Sequence, residues 1–315
     1  MSSSTSALKA FVAVAVKAAR QAAREINRAA NDRDALQIED KAFNDFVTSA
    51  DKNAEAVIVE ELRRAFPHHD ILTEEAGRIG GGKSDYLWII DPIDGTTNFI
   101  HGVPQYAVSI ALTYRDEIIA GVIYDVAKNE LFTAAKGQGA FLDNRRIRVS
   151  DTIDLNRALI GTGFPFRRGD DFGGYLNKFR LVAEKAAGLR RAGSAALDLA
   201  WVACGRYDGF WEHNLKAWDM AAGILMVLEA GGLITDLKGG TDWFKGNICC
   251  GTPKIFGQLL PLVGELDKPQ TTEAAAEAPA EKPADAKPRR TLKTKTVVKA
   301  EKKSAEASEK KAKHA

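Results

Sequence analysis

Residues 86–99 read Tyr86-Leu87-Trp88-Ile89-Ile90-Asp91-Pro92-Ile93-Asp94-Gly95-Thr96-Thr97-Asn98-Phe99. The first five are apolar and β-prone, the make-up of a buried strand. Asp91 falls at the carboxyl end of that strand. Pro92 has no N–H with which to extend a ladder and Gly95 admits a sharp turn, so the extended run breaks here. The break sets two carboxylates three residues apart on a tight loop. Gly95, Thr96 and Thr97 follow, with amides and hydroxyls that suit an anion. Close carboxylates repel unless a cation lies between them, and a hard divalent ion such as Mg²⁺ takes oxygen ligands. A metal beside amide donors is the layout of a phosphate site. An Asp-Gly turn with solvated aspartates is the plainer account of the same residues.

Upstream, Leu8, Phe11, Val12, Ala15, Ala19, Ala22 and Ile26 recur at helical spacing, which predicts an amphipathic core helix. Asn44–Asp51 reads as an extended piece leading into a second helix at about Asp51–Phe66, with Asp51 as its cap. His68 and His69 sit in a turn rather than forming a metal pair, because adjacent side chains point apart. Ile71-Leu72-Thr73-Glu74-Glu75 is a strand ending in two carboxylates. The glycine-rich stretch Gly77–Ser84 after it is expected to be a mobile loop that closes over the site. Downstream, Val108–Tyr114, Ile118–Asp125, Glu130–Ala135 and Ala140–Val149 alternate as an antiparallel meander. Tyr175–Ala187 and about Ala195–Cys204 are helical, and Gly193-Ser194 opens the second of these. Helix starts bind anions. Gly209–Glu212 is a strand, and Asp219 opens an apolar helix that stops at Gly231-Gly232.

The chain of 315 residues is 45% hydrophobic and 27% charged, ordinary values for a folded protein, and its length suggests about two domains. The net charge of +2 hides an asymmetry. From Asp267 to Ala315 there are thirteen Lys/Arg against eight Asp/Glu, so the body before it is mildly acidic. That body does not have the charge of a nucleic-acid-binding core. The division expected is a catalytic domain over 1–264, with lobes at about 1–150 and 151–264, and a disordered Ala/Lys/Glu/Pro-rich tail over 265–315. The basic tail suits salt-sensitive contact with a polyanion. Three cysteines, two adjacent at Cys249-Cys250, form no disulfide framework and fit a cytoplasmic setting. No apolar run reaches the roughly 18–20 residues that cross a bilayer, so no membrane role is expected.

Four separated motifs identify a resemblance: Val47-Thr48-Ser49-Ala50-Asp51, Thr73-Glu74-Glu75, the full Asp91–Phe99 stretch, and Trp218-Asp219-Met220-Ala221-Ala222-Gly223. In this order they resemble the magnesium-dependent, lithium-sensitive inositol monophosphatase family, in its bacterial extragenic-suppressor form. The resemblance spans about Ala7–Val263. It implies an α+β fold, a layered α-β-α-β-α sandwich, usually dimeric. It implies a phosphomonoesterase that hydrolyses myo-inositol monophosphate with water activated by two or three Mg²⁺ ions. Glu74, Asp91 and the carbonyl of Ile93 would hold one ion. Asp91, Asp94 and Asp219 would hold another. Asp51 and Thr96 would orient the water, with Glu74 completing the catalytic set and Glu75 supporting it from behind. Asp94, Gly95, Thr96, Ser194, Ala195, Glu212 and Asp219 would contact substrate, and Lys41 matches a basic residue near the phosphate. Relatives of this fold act instead on 3′-phosphoadenosine phosphate, histidinol phosphate or fructose bisphosphate, and bacterial members are associated with RNA polymerase. Those remain the alternatives.

Overall fold

The computed structural model describes residues 5–42, 45–165 and 169–264. The tail expected over 265–315 lies outside the described residues. Helix α1 (Thr5–Asn31) leads to the hairpin β1 (Ile38–Ala42) and β2 (Asp45–Thr48), then to α2 (Ser49–Ala65). Next come β3 (Asp70–Thr73), β4 (Gly77–Ile79), β5 (Tyr86–Asp94) and the short α3 (Thr96–His101). The meander follows as β6 (Ala107–Tyr114), β7 (Glu117–Asp125), β8 (Glu130–Ala135), β9 (Gly139–Leu142) and β10 (Arg145–Ile147). The remaining elements are β11 (Leu159–Thr162), α4 (Phe172–Ala183), β12 (Gly188–Arg190), α5 (Ala195–Ala203) and β13 (Gly209–Glu212). After them come α6 (Ala217–Glu229), β14 (Leu233–Asp236), β15 (Ile248–Gly251) and α7 (Pro253–Val263).

Eight strands form one sheet in the order β10-β9-β8-β7-β6-β5-β3-β4, and five form another in the order β12-β11-β13-β15-β14. In the larger sheet β3 and β5 run parallel and every other neighbour is antiparallel. Helices α1 and α2 cover one face of it, and α5 and α6 fill the space between the two sheets. Helices α4 and α7 close the far face of the smaller sheet. The fold is therefore the layered α-β-α-β-α sandwich.

Period-2 alternation in β5 explains how one strand serves two helical layers. Trp88 and Ile90 pack into the α1/α2 core, whereas Leu87 and Ile89 pack into the α5/α6 core. Asp91 is next on the α5/α6 side, and that side is where the helix starts of the middle layer lie. Burying each of these large side chains stabilises the sandwich by about 1.5–3 kcal/mol.

Several local expectations change. Helix α2 begins at Ser49, because Thr48 is its N-cap and Asp51 stands at the third helical position, closing a reciprocal capping box. Helix α4 starts at Phe172 and ends at Ala183, its first turn capped by Asp171, which accepts from Gly174 N–H at 2.8 Å. The run Ala140–Val149 is two strands folded at Asp143-Asn144, both at positive φ as a two-residue hairpin requires.

The glycine-rich stretch is no lid. Gly77–Ile79 is strand β4, and Asp70 ties the rest by accepting from Gly82 N–H at 3.2 Å and Ser84 N–H at 3.4 Å. Asp70 opens β3, so this tether lies at the end of the strand away from Glu74. His68 and His69 do occupy a turn. His69 is not a bystander there: its ring stacks on Phe66 and Tyr86 at 4.9 and 4.5 Å, and its Nδ1 accepts the Trp88 indole N–H at 3.1 Å.

Candidate active site

A cavity of about 350 Å³ opens at the carboxyl end of β5. Asp91, Asp94 and Asp219 line it, with one carboxylate oxygen of each within 4.8 Å of the others. Asp91 and Asp94 are three residues apart, which in a regular strand would send them to opposite faces. The β5–β6 register resolves this: Asp91 pairs with Ser109 and Asp94 with Ala107, so three steps on one strand oppose two on the other. The extra residue is a bulge, and it returns Asp94 to the face of Asp91. Pro92, without an N–H, fits where the ladder is broken. Gly95 then turns the chain at φ +100°, packed so closely that a Cβ there would lie 2.9 Å from the Gln105 carbonyl.

Helix starts supply the rest. Asp219 is the third residue of α6, and its Oδ2 accepts the Lys216 N–H at 2.6 Å. Asp51 repeats the device on α2, with Oδ2 accepting from Thr48 N–H at 2.8 Å and from the Thr48 hydroxyl at 2.5 Å. Neither aspartate is the cap itself. The position inside the first turn suits an anion through the helix dipole and leaves one oxygen for other contacts. Asp51 uses its Oδ1 for the Thr96 hydroxyl at 3.2 Å, and that hydroxyl also lies 3.0 Å from the carbonyl of Ile93.

Ser194 and the start of α5 serve an acid of the chain itself. Ser194 Oγ donates to Asp94 Oδ2 at 2.6 Å and the Ala196 N–H to the same oxygen at 2.7 Å. Ser194 and Ala195, expected at the substrate, line the cavity, but this helix start is occupied by the Asp94 carboxylate. Lys41 is likewise held by acids. Its Nζ lies 2.9 Å from Glu74 Oε1 and 2.6 Å from Glu75 Oε1. Glu74 lines the cavity without joining the tight trio. Glu212 lines the same cavity from the end of β13.

The electrostatics follow from burying like charges together. Burial, then Glu74, Asp94 and Asp219, push the Asp91 carboxyl well above its ordinary range. Asp219 rises for the same reasons, burial first and Asp94 next. Burial also lifts Asp94 to about 6, with the Ser194 and Ala196 donors holding it back. Asp51 stands at about 6, raised by burial and restrained by Thr48. Burial carries Glu75 to about 7 against the pull of Lys41. For Lys41, burial opposes the charge, but Glu74 and Glu75 outweigh it and raise the pKa. Three converging hard oxygen donors that gain from a positive charge fit a divalent cation.

Three supporting residues were not anticipated from sequence. Glu55, buried one turn after Asp51, accepts from the Glu75 and Ala76 amides at 2.9 and 3.1 Å and so fixes the turn that presents Glu74. Its signal was an acid inside the apolar stripe Ala54-Ile58-Leu62. Asn98 Nδ2 donates to the carbonyls of Gln105 at 2.8 Å and Ala192 at 2.9 Å, tying α3 to the segment before α5. Asp198 is the third, a lone acid in the apolar helix α5.

Comparison with known proteins gives the family. The sequence profile of the inositol monophosphatase family matches residues 7–268. The chain is 50% identical over 255 residues to the Nus factor SuhB of Pseudomonas aeruginosa, covering 79% of this chain and 94% of that one. It is 46% identical over 258 residues to the inositol-1-monophosphatase of Mesorhizobium japonicum, covering 82% and 97%. The crystal structure of the extragenic suppressor protein suhB from Bartonella henselae superposes with a TM-score of 0.79 at 48% identity, over 81% of this chain and 99% of that one. None of the described helices is long and apolar enough to cross a membrane. A layered sandwich with an acid cluster at the carboxyl end of its central strand, matched over almost the whole described body, places the chain in the inositol monophosphatase family of phosphatases.

Proposed function

We propose that the chain hydrolyses myo-inositol monophosphate to inositol and phosphate with Mg²⁺ as its cation. The observation that carries this reading is the convergence of Asp91, Asp94 and Asp219 within 4.8 Å in the cavity that Glu74 also lines. Those four side chains and the Ile93 carbonyl would hold two or three ions. When bound, such ions make water nucleophilic at neutral pH and stabilise charge on the departing alkoxide. The Thr96 hydroxyl, between Asp51 Oδ1 and the Ile93 carbonyl, orients the attacking water and passes its proton towards Asp51. Gly95 and Thr96, at the start of α3, offer amides to the phosphate oxygens. Glu75 and Lys41 support Glu74 from behind. Glu212 grips a hydroxyl of the inositol. A homodimer in a reducing, cytoplasmic setting completes this reading, in keeping with three free cysteines.

The test is phosphate release from myo-inositol 1-phosphate, 3′-phosphoadenosine phosphate, histidinol phosphate and fructose bisphosphate, each with and without Mg²⁺ and Li⁺. Release from the inositol ester that needs Mg²⁺ and falls with Li⁺ is the expected result. Preference for another ester moves the substrate, and no release from any of them rejects the enzymatic reading.

A second reading is favoured by the 50% identity to a Nus factor, a binding role in transcription alongside catalysis. Asp91→Asn protein used as bait should still retain RNA polymerase from a bacterial extract. Loss of capture from both this variant and the wild type counts against that role.

A further inference from the structure

Helix α5 reads Ala195-Ala196-Leu197-Asp198-Leu199-Ala200-Trp201-Val202-Ala203, and Asp198 is its one ionisable residue. The side chain is 2% exposed, it lines the cavity, and its Oδ1 has no hydrogen-bond partner in the protein. Among the buried side-chain atoms left without a partner in the described residues it is the one carboxylate oxygen, and its place in the cavity lining gives a partner from outside the chain access to that side chain. The groups around it are charged or polar. Glu212, Thr162 and Arg191 line the same cavity. Burial first, then Glu212 and Asp94, push the Asp198 carboxyl well above its ordinary range, with Arg191 pulling the other way. The Tyr207 hydroxyl is raised in turn, by burial first and then by Asp198.

Room for the second acid is built in. A Cβ on Gly163 would fall 1.8 Å from Glu212 Oε1, so only glycine lets that carboxylate lie where it does. Two acids thus stand side by side on the α5/β13 wall. A carboxyl group that keeps its proton both donates and accepts, and an alcohol is the ligand group that answers both.

We propose that Asp198 is a specificity-determining residue of the site, its carboxyl group reading a hydroxyl of the leaving alcohol beside Glu212. It thereby selects phosphate esters of polyols over esters whose alcohol lacks that hydroxyl. This deepens the phosphomonoesterase reading and rests on it.

The test uses the full chain with Mg²⁺ and the ratio of kcat/KM for myo-inositol 1-phosphate to that for p-nitrophenyl phosphate, which has no such hydroxyl. Asp198→Leu, similar in volume and without polar atoms, should lower the ratio by about 10- to 100-fold. Asp198→Asn, which keeps a donor and an acceptor, should hold it within about threefold. A ratio unchanged in Asp198→Leu overturns the proposal, whether both rates fall together, as a merely structural role predicts, or neither falls. Should that variant fail to fold, Asp198→Ser is read with monodeoxy analogues of the inositol ester. Removing the read hydroxyl then costs the wild type about tenfold and the variant nothing, and an equal cost in both rejects the assignment. If the wild type releases phosphate from neither ester, the phosphatase reading itself has failed, a result distinct from an unmoved ratio.

Discussion

Two buried aspartates share the cavity in opposite circumstances. Asp94, at the end of β5, takes the Ser194 hydroxyl and the Ala196 amide on one oxygen and titrates at about 6. Asp198, two residues further along the helix that supplies that amide, has no donor on Oδ1 and stands well above its ordinary range. Both are buried, so burial alone does not decide the charge of an acid. Donors decide it. At the strand end Asp94 is held back by donors while Asp91 and Asp219 are pushed up by burial and by one another, a strain that a cation relieves. On the α5/β13 wall Asp198 has neither a donor on Oδ1 nor a place in that trio, and its proton is left for an alcohol.

The largest effect should come from the centre of the first wall. Asp91→Asn keeps the shape and removes one of the converging charges, so kcat should fall about a thousandfold or more while the circular dichroism spectrum is retained. Near-normal turnover in that variant means the acids are not the cation site. Next in size, Asp51→Asn leaves the Thr96 hydroxyl without its carboxylate acceptor, and kcat should fall about a hundredfold with KM little changed. An effect confined to KM instead assigns Asp51 to binding.

Ser194→Ala sharpens the contrast directly, because it strips a donor from Asp94 and makes it more like Asp198. Mg²⁺ affinity should weaken by about 10- to 100-fold, while turnover at saturating Mg²⁺ is largely recovered. If saturation recovers nothing, Ser194 touches the substrate after all.

The smallest effect is on stability. Asp51 and Asp94 have folded pKa values near 6 against an ordinary 3.8, and Glu75 about 7 against 4.5. Groups raised on folding bind more protons in the native state than in the unfolded one, so stability falls as pH rises between the two values. Without divalent cations the melting temperature should therefore drop from pH 4 towards pH 7. Added Mg²⁺ should restore it by a few degrees at pH 7 and hardly at all at pH 4.5, where protons already neutralise the cluster. Equal stabilisation at both pH values would separate cation binding from these carboxylates.

Much of the first wall was legible from sequence because it is local. Asp91-Pro92-Ile93-Asp94-Gly95 carries its own break, whereas Glu74 and Asp219, read locally as a strand end and a helix start, are assigned to the cation site only by the family resemblance. The second layer of support was not legible, because each contact joins distant segments. Ser194 and Asp94 are a hundred positions apart, and Lys41 reaches Glu74 across another thirty-three. Nothing in a linear reading says that a helix start suited to a phosphate is already taken by a carboxylate of the same chain. Asp198 and Glu55 did leave a trace, as single acids where apolar periodicity called for a hydrocarbon. Only the surroundings distinguish a structural tether like Glu55 from an unpartnered group like Asp198.

The bulge between Asp91 and Asp94 has an evolutionary corollary. Its single surplus residue sets a parity: were residues 91–94 to pair regularly, without the bulge, the second acid would swing into the α1/α2 core, among Trp88 and Ile90. Spacing and bulge are consequently tied to each other: a three-residue spacing keeps both acids on one face only while the ladder stays broken there. No such parity governs the α5/β13 wall, whose groups stand on a helix and a separate strand. Descendants of this scaffold are thus free to change the alcohol they accept by point substitution alone, leaving the cation end untouched.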